Sequence, residues 1–352
     1  PASIMTRDSP SQRYARQIQY APIGQDGQDR IAAAQVAVLG CGALGTVAAE
    51  ILVRAGVGQV RLIDRDLVEW TNLQRQSLYT ERDAEEGQSK AAAASEHLHR
   101  INSNIDLQPK VVDVTSSNIH SILDGVDLVM DAADNFLIRF LLNDWSLKTE
   151  TPWVHGGCVG ATGQVRLFSG RGAPCFRCLV PEPPPAAAVD TCDTAGVVGS
   201  ATHLIASLQA TEAIKWLSGN ENAVREKLLS IDLWSNRIRE LSLPSELSES
   251  CVACGKRQFD SLEGNRAVES EAAAVLCGRD AVQIQSNGVA VDLTRIAERW
   301  KGIGRTQVTP FFARLHPDDG HSVTLFRDGR VVITGTSEIS EARSLYDRFV
   351  GG

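Results

Sequence analysis

Three glycines follow a short apolar run near residue 40. The segment reads Gly40-Cys41-Gly42-Ala43-Leu44-Gly45 and has the Gly-x-Gly-x-x-Gly spacing of a phosphate-binding turn between a strand and a helix. The first glycine permits a tight turn, the second admits phosphate close to backbone N–H groups, and the third lets helix and strand pack closely. The helix start adds free N–H donors and partial positive charge. The loop therefore predicts a bound nucleotide; a ligand-free strand–helix turn is the alternative.

Polar side chains that suit a triphosphate follow this loop. Asp64 ends the next apolar run, where a carboxylate binds ribose hydroxyls. The loop and this carboxylate fit NAD as well as ATP. The segment NLQRQ at residues 72–76, with Arg75, and then Lys90 supply two cations and several amides. Three phosphates need such cations more than a dinucleotide pyrophosphate does, so the sequence favours ATP. Solvated surface charges are the alternative for Arg75 and Lys90.

A second acidic segment, DAADN at residues 131–135, follows a buried apolar run. Its carboxylates are expected at the carboxyl edge of the sheet, where open α/β sheets bind ligands. A Mg²⁺ ion held by one carboxylate and phosphate oxygens fits this position. The sequence therefore predicts a magnesium site at Asp134. Capping of the following helix by Asp134 or Asn135 is the alternative.

Four of the eight cysteines form two Cys-x-x-Cys pairs, Cys175 with Cys178 and Cys251 with Cys254. The pairs have the spacing of a tetrahedral zinc site assembled from distant segments. A site with four protein ligands is structural, because no position stays open for substrate. Two independent redox pairs are the alternative.

The elements that must position these groups alternate along residues 30–170. Short β-branched runs predict strands at 36–39, 60–63 and 126–130, and longer periodic stretches predict helices at 43–55, 89–101 and 135–148. This alternation predicts an α/β fold, a Rossmann-like and mainly parallel sheet with helices on both faces. Residues 163–170 predict a later edge strand, and residues 197–217 predict a long buried helix. The Pro- and Ala-rich residues 180–190 predict a mobile crossover or lid.

A second domain is predicted after the last cysteine pair, because the composition becomes polar and acidic at 256–270. We expect a first domain at residues 1–257, a linker at 258–270 and a small α+β domain at 271–352. The small domain should contain a strand, a helix, three strands and a final helix. Asp328-Gly329 between two apolar runs predicts a type I′ hairpin.

Bulk composition narrows the classes of function. Hydrophobic residues make up 43% and charged residues 22%, an ordinary globular balance. The net charge is −8 without a basic block, so we expect no nucleic-acid or anionic-membrane partner. No apolar run approaches the ~20 residues of a membrane span. The polar residues 1–16 lack a signal-peptide segment, and we expect a cytoplasmic protein.

In order and spacing, these motifs resemble the MoeB/ThiF/HesA family, relatives of ubiquitin-activating enzymes. The similar segments are RYARQ (13–17), GCGALG, LIDRD (62–66), NLQRQ, GQSK (87–90), DAADN, CFRC, TCDTAGVVG (191–199), SLQATEAIKWLSG (207–219) and CVAC. The resemblance covers residues 12–256. Ala43 departs from the family, because many members carry a further glycine there.

The resemblance implies an ATP-dependent adenylyltransferase that uses Mg²⁺ and holds Zn²⁺. Its substrate would be the C-terminal Gly-Gly carboxylate of a ubiquitin-like sulfur-carrier protein of the ThiS/MoaD type, prepared for thiocarboxylate formation in molybdopterin or thiamine biosynthesis. Asp64 would bind ribose, Arg75 and Lys90 the triphosphate, and Asp134 the magnesium ion. The other nucleotide contacts implied are the loop residues Gly40, Gly42, Ala43, Leu44 and Gly45, with Asp66, Asn72, Gln76 and Asn135.

The resemblance also implies partners. Arg16 is similar to a family arginine that reaches the neighbouring subunit's ATP, which implies a homodimer. A sulfur donor of the cysteine desulfurase or rhodanese type would act after adenylation. Cys192 corresponds to a thiol that forms an acyl link in some members and is dispensable in others; an inert, partly buried thiol is the alternative. Residues 271–352 contain no Cys-centred rhodanese loop, and their role is either docking of a partner or structural.

Other functions stay open at this point. The enzyme class also includes adenylation of another carboxylate or substrate, such as a peptide C-terminus or a tRNA base. A catalytically silent nucleotide-binding scaffold belongs to a different class; the presence of Arg16, Arg75, Lys90 and Asp134 together argues against it. An NAD dehydrogenase would need a catalytic residue beside the nicotinamide, and the sequence offers no candidate.

Overall fold

The computed structural model describes residues 10–184, 195–243, 249–264, 273–275, 280–284 and 290–351. The chain divides into two units, residues 1–265 and residues 266–352. Phe259 and Leu262, within the linker predicted at 258–270, are buried in a core of the first unit. The predicted domain bounds stay a prediction. Residues 185–194, which include most of the predicted lid, lie outside the described residues.

The first unit contains an eight-stranded sheet. Its strands are β1 (Gln35–Leu39), β2 (Gln59–Ile63), β3 (Asp106–Lys110), β4 (Leu128–Asp131), β5 (Trp153–Val159), β6 (Thr162–Phe168), β7 (Leu228–Asp232) and β8 (Arg237–Leu241). The order is β3-β2-β1-β4-β5-β6-β7-β8. Strands β1 to β5 are parallel, and β6, β7 and β8 continue the sheet as antiparallel neighbours. The predicted mainly parallel sheet is confirmed.

Helices cover both faces of this sheet, as predicted. They are α1 (Pro10–Arg13), α2 (Ala15–Ile18), α3 (Gly24–Ala33), α4 (Ala43–Ala55), α5 (Glu81–Glu85), α6 (Lys90–Ile101), α7 (Ile119–Ile122), α8 (Phe136–Thr149), α9 (Phe176–Leu179) and α10 (Gly199–Leu217). Alternate residues of β1 divide between two cores: Val36 and Val38 pack with α4, α6 and α10, while Ala37 and Leu39 pack with α7 and α8. No helix in the described part of the chain has the length and apolar character to cross a membrane.

The antiparallel half of the sheet differs from the sequence expectation. Residues 163–170 were expected as an edge strand, but β6 lies inside the sheet between β5 and β7. The edge is β8, which the sequence did not predict. All five residues of β8 are exposed, so its sequence, RIREL, carries no apolar alternation that marks a strand.

The second unit contains a six-stranded antiparallel sheet. Its strands are β9 (Ala273–Val275), β10 (Ala281–Ile284), β11 (Gly304–Val308), β12 (Phe312–Pro317), β13 (Ser322–Phe326) and β14 (Val331–Thr334), and its helices are α11 (Leu293–Arg299) and α12 (Ile339–Phe349). The order is β11-β12-β13-β14-β10-β9. The α+β class is confirmed. The described residues hold two strands before α11 and four after it, instead of the one and three expected.

The β13–β14 hairpin lies at the predicted position, but its turn type was wrongly predicted. Gly329 has φ 84, whereas Asp328 keeps a negative φ, so a type I′ turn is excluded. Gly329 N donates to Phe326 O (2.9 Å) and Phe326 N donates to Arg330 O (2.8 Å). This is a three-residue loop with a left-handed glycine. Asp328 Oδ1 accepts from Arg330 N (3.0 Å), which stabilises this geometry.

A buried carboxyl group ties α8 to the segment 249–264. Asp144 is 0% exposed, and its Oδ2 accepts a hydrogen bond from Ser261 N (3.0 Å). Burial raises the pKa of Asp144 from 3.8 to about 6, although this hydrogen bond and the nearby Arg177 oppose the rise. An acid whose pKa is higher in the folded state loses stability as pH rises from the unfolded to the folded pKa, because only the unfolded chain has released its proton.

We therefore expect Asp144→Asn to stabilise the protein at neutral pH and to do so less at acid pH. The amide keeps an acceptor for Ser261 N and carries no charge to bury. Urea unfolding at about pH 5 and about pH 7.5 should show an advantage over the natural protein that grows with pH, towards about 3 kcal/mol. An advantage independent of pH, or one that shrinks as pH rises, would contradict the assignment.

Candidate functional site

The glycine loop connects β1 to α4, and its three glycines meet different surroundings. Gly40 has φ 96, and a Cβ there would lie 2.6 Å from Ala132 O. A Cβ on Gly45 would lie 1.8 Å from Gly40 O, so only glycine lets α4 approach the loop. A Cβ on Gly42 would meet a single neighbour within 4 Å, Gln76 Nε2 at 3.8 Å. The outer two glycines thus shape the loop, and the middle one leaves open space at the start of α4.

The carboxylate of Asp64 holds the loop in place. Its Oδ2 accepts from Cys41 N (2.7 Å), and its Oδ1 accepts from Asp66 N (2.7 Å). Tyr79 donates its hydroxyl to Cys41 O (2.7 Å) from the other side. Burial raises the pKa of the Cys41 thiol well above its usual value, and the charge of Asp64 adds to the rise. Cys41 is therefore a protonated packing residue rather than a nucleophile.

Lys90 begins α6 beside this loop. It is only 5% exposed, and its Nζ lies 3.3 Å from Asp66 Oδ2. Its backbone N donates to Asp66 O (2.9 Å), so the lysine and the aspartate are held together twice. Burial raises the pKa of Asp64, and the Lys90 ammonium lowers it. The structure thus brings Asp64, Asp66 and Lys90 together next to the glycines.

The NLQRQ segment lies on the open side of the loop. Asn72 is buried and accepts from Glu69 N (3.1 Å), which stabilises the short 3₁₀ turn Trp70–Asn72. Gln76 is 4% exposed, and its Oε1 has no hydrogen-bond partner. Arg75 is half-buried and donates to Thr71 O (2.8 Å). The Gln76 amide nitrogen borders the open space at Gly42, where it can donate a hydrogen bond to an anionic ligand.

The DAADN segment separates a buried carboxylate from an exposed one. Asp131 is 0% exposed, and its Oδ2 lies 3.1 Å from Arg139 Nε and 2.8 Å from His155 Nδ1. Asp134, at the same sheet edge, is exposed. Asn135 caps α8 by accepting from Ile138 N (3.0 Å). Asp134 thus has the accessibility that a magnesium ligand needs.

The sequence missed the polar residues that support this edge. Gln209 donates from α10 to Asp131 O (2.8 Å) and to Val154 O (3.0 Å). Arg139 also donates to Ala133 O (2.7 Å). Burial and the charge of Arg139 lower the pKa of His155, so the neutral ring donates to Asp131. The available signal was a polar side chain on the buried side of an apolar helix, which Arg139 and Gln209 both provide.

Arg65 is a further residue that the sequence missed. Its Nη1 lies 3.1 Å from Asp113 Oδ2 and its Nε 3.9 Å from Asp66 Oδ1. Although burial opposes it, the charges of Asp113, Asp66 and Asp134 raise the pKa of Arg65. Arg65 therefore links the acidic groups that follow β2, β3 and β4.

One predicted site residue, Arg16, is not brought to the glycine loop of its own chain. Arg16 is exposed and donates to Gln19 (3.1 Å). Its neighbour Gln17 donates to Ala55 O (3.0 Å), at the last residue of α4. The glycine loop lies at the opposite end of that helix, about 18 Å away at 1.5 Å per residue. Cys192 lies outside the described residues.

The four paired cysteines form one cluster on the α8 face of the sheet. The Sγ–Sγ distances are 4.0 Å for Cys175–Cys178, 3.7 Å for Cys175–Cys251 and 3.4 Å for Cys178–Cys254, and all four sulfurs lie within 4.8 Å of one another. A tetrahedral zinc with Zn–S bonds of about 2.3 Å places its sulfurs about 3.8 Å apart. The cluster therefore fits zinc and does not form two separate pairs.

Comparison with known proteins adds to this geometry. Residues 14–253 match the ThiF family. A Bacillus subtilis (strain 168) protein named "Sulfur carrier protein ThiS adenylyltransferase" is 42% identical over 341 residues, 96% of this chain and 99% of that protein. An Anopheles gambiae protein named "Adenylyltransferase and sulfurtransferase MOCS3" is 37% identical over 286 residues, 78% of this chain and 64% of that one.

The structural likeness concerns the fold. A crystal structure of E. coli MccB has a TM-score of 0.62 and 24% identity, covering 71% of this chain and 74% of that one. The Bacillus match extends through the second unit, because it covers 96% of the chain. The second unit therefore also occurs in a relative named as an adenylyltransferase.

Substitution of two glycines should separate folding from ligand binding. Gly42→Ala places its Cβ in open space, so we expect a stability change of only about 1 kcal/mol but at least a tenfold loss of ATP affinity. Gly45→Ala forces the helix away from Gly40 O and should cost about 3 kcal/mol. Urea unfolding and calorimetric titration with ATP measure the two effects. Wild-type ATP affinity in a folded Gly42→Ala protein would contradict the site.

Proposed function

Because this chain belongs to the ThiF family, we propose that it adenylates the C-terminal carboxylate of a ubiquitin-like sulfur-carrier protein. The Bacillus relative, which the chain matches over nearly its whole length, is named for that reaction on ThiS. The structural observation that carries the proposal is the open space at Gly42, bordered by Gln76, with the Lys90 ammonium held beside the loop. A triphosphate fits a site where backbone N–H groups and a fixed cation converge.

The chemistry needs activation, because hydroxide is a poor leaving group from a carboxylate. A carboxylate oxygen of the tail attacks the α-phosphorus of ATP, the bond from this phosphorus to the bridging oxygen breaks, and pyrophosphate leaves. The product is an acyl-adenylate. Two negatively charged reactants meet in this step, so positioning and charge neutralisation dominate the catalysis. Lys90 and Arg75 would supply fixed positive charge.

The positions of the acidic and amide side chains around the glycine loop suggest which of them would contact the nucleotide and the metal. Asp64 would accept hydrogen bonds from ribose hydroxyls, since each carboxylate oxygen retains a free lone pair beside its backbone bond. Asp134, exposed at the end of β4, would hold Mg²⁺, which supplies positive charge to the phosphates when bound. Asn72, Gln76, Asp66 and Asn135 would complete the polar surroundings of the nucleotide.

The proposed substrate tail ends in Gly-Gly, as the family resemblance implies. A cysteine desulfurase or rhodanese-type donor would then convert the adenylate to a thiocarboxylate, for thiamine or molybdopterin synthesis. Cys192 is proposed for this later step. The paired cysteines form no disulfide, and a metal-binding use of such pairs fits the reducing cytoplasm that we propose as the compartment.

The position of Arg16 supports a homodimer with shared sites. The residue lies at the far end of α4 from its own glycine loop, so it cannot serve that loop without refolding. A second copy related by two-fold symmetry can present its Arg16 to the loop. In related phosphoryl transfers an arginine supplied in trans is worth about 10³–10⁵ in rate, and we expect a smaller but severe loss here.

The cysteine cluster is proposed to hold Zn²⁺ through Cys175, Cys178, Cys251 and Cys254. Four protein ligands leave no open position, so this metal would stabilise the fold and not bind substrate. It would join α9 to the segment 249–264, on the face where Asp144 already contacts Ser261.

The proposal is tested by ATP–pyrophosphate exchange with each Gly-Gly-ended carrier from the same organism. We expect exchange with one carrier, its loss in Asp134→Ala, and its retention in Cys192→Ala. Removal of the carrier's last glycine is the matched substrate control and should abolish exchange. ATP binding without exchange for any carrier would favour a scaffold or another acyl substrate.

A heterodimer tests the shared site. Lys90→Met and Arg16→Ala should each inactivate a homodimer. Heterodimers of the two variants can be purified through two different affinity tags. If each site takes Lys90 from one subunit and Arg16 from the other, one site carries both substitutions and the second site carries neither. We expect them to recover about half of the wild-type exchange rate. An inactive heterodimer would mean that Arg16 acts in its own subunit or elsewhere.

A further inference from the structure

Two buried arginines in the first unit, Arg166 and Arg177, each have two side-chain nitrogens without a hydrogen-bond partner. In the part of the chain that the structure describes, ten buried side-chain nitrogen or oxygen atoms have no hydrogen-bond partner, and four of them are Nε and Nη1 of Arg166 and Arg177. The two side chains are 6% and 4% exposed. Burial of a guanidinium costs free energy unless its donors meet acceptors, so these two positions require an explanation.

Both arginines lie at the cysteine cluster. Arg177 is within the Cys175-x-x-Cys178 turn itself. Arg166 is in β6, with its guanidinium carbon 5.4 Å from the centre of the Phe168 ring. Phe168 in turn contacts Phe176 of the same turn, at 6.1 Å between ring centres. Burial lowers the pKa of Arg166, and the charge of Cys178 is the largest influence that opposes it.

Carboxylates do not account for these donors. The ion pair of Arg177 with Asp260 spans 3.9 Å, which is beyond hydrogen-bond distance. Asp144 is buried near Arg177 and interacts with its charge, but Nε and Nη1 of Arg177 donate to neither of its oxygens. For Arg166, Glu226 is a carboxylate with an electrostatic influence, and it is exposed.

A cluster filled with zinc would supply the negative charge and the hydrogen-bond acceptors that the two arginines lack. Four thiolates and one Zn²⁺ carry a net charge of about −2, because each metal-bound cysteine is deprotonated. Two guanidinium groups carry the opposite charge. Thiolate sulfur also accepts N–H hydrogen bonds, and second-shell groups of this kind commonly orient metal ligands. The planar donor fork of arginine suits this role better than a lysine ammonium.

We propose that Arg166 and Arg177 form a cationic second shell, donating N–H···S hydrogen bonds to the thiolates of the Cys₄ centre and neutralising its charge. Arg166 reaches the cluster from β6 beside Phe168, and Arg177 serves the turn in which it lies. This inference rests on the zinc centre proposed above. It makes the two arginines positioning residues for the metal, with no part in adenylation.

Zinc release from the full-length protein tests this role. Arg166→Met and Arg177→Met remove the charge and the donors at similar length, and Arg166→Lys keeps the charge but replaces the planar donor fork with a shorter ammonium group. We expect the methionine variants to release zinc to an excess of a chromogenic chelator about ten- to a hundredfold faster than the natural protein, and Arg166→Lys to be intermediate. Arg61→Met is the matched control. Arg61 is also buried but lies on β2, where it bonds to Ile122 O and Asp124 O.

A second readout covers variants that fold poorly. In protein reconstituted with Co²⁺, loss of N–H···S bonds should shift the thiolate-to-cobalt absorption bands in the methionine variants, and shift them less in Arg166→Lys, whose ammonium group keeps the charge and can still donate. Zinc release and cobalt spectra within error of the natural protein in all arginine variants would overturn the second shell. Absence of zinc from the natural protein, measured by elemental analysis, would instead overturn the metal centre itself, whatever the outcome of the exchange assay.

Discussion

The contact between two stretches of backbone, the glycine loop after β1 and the turn after β4, is the constraint on which the site depends. A Cβ at Gly40 would overlap Ala132 O, and a Cβ at Gly45 would overlap Gly40 O. With no side chains between them, the ends of two parallel strands and the start of α4 come together at one sheet edge. Lys90 and Asp134 belong to separate segments of the chain. The packing at this edge places one beside the glycine loop and the other after β4.

A buried polar network keeps the same edge rigid. Asp131, Arg139 and His155 exchange hydrogen bonds behind the exposed Asp134, and Gln209 fastens the backbone of β4 to that of β5. Each of these hydrogen bonds matters, because an unpaired group in a low dielectric costs free energy; in the described structure Gln209 Oε1 is one such unpaired atom. The loop that presents Asp134 therefore has little freedom to move, as preorganised electrostatic catalysis requires.

The sequence predicted the elements whose signals are local. The helix at 43–55 agrees with α4 at both ends, because a glycine loop starts it and Gly56, with φ 88, ends it. Strand β8 was missed because no residue in it is buried, and the hairpin turn was mistyped because an Asp–Gly pair is compatible with two loop lengths. The network around Asp131 was missed for another reason: its partners at 155 and 209 are distant in sequence, and only tertiary packing joins them.

The cysteine cluster has a consequence for the unfolded chain. Cys175 and Cys251 are 76 residues apart, and the intervening stretch contains α10, β7 and β8. A metal that joined these ends would close a long loop in the unfolded chain. By the relation used for disulfide cross-links, closing a loop of this length removes chain entropy worth about 4 kcal/mol. The bound ion would lower the conformational entropy of the unfolded chain. It would thereby stabilise the antiparallel half of the sheet relative to that unfolded chain.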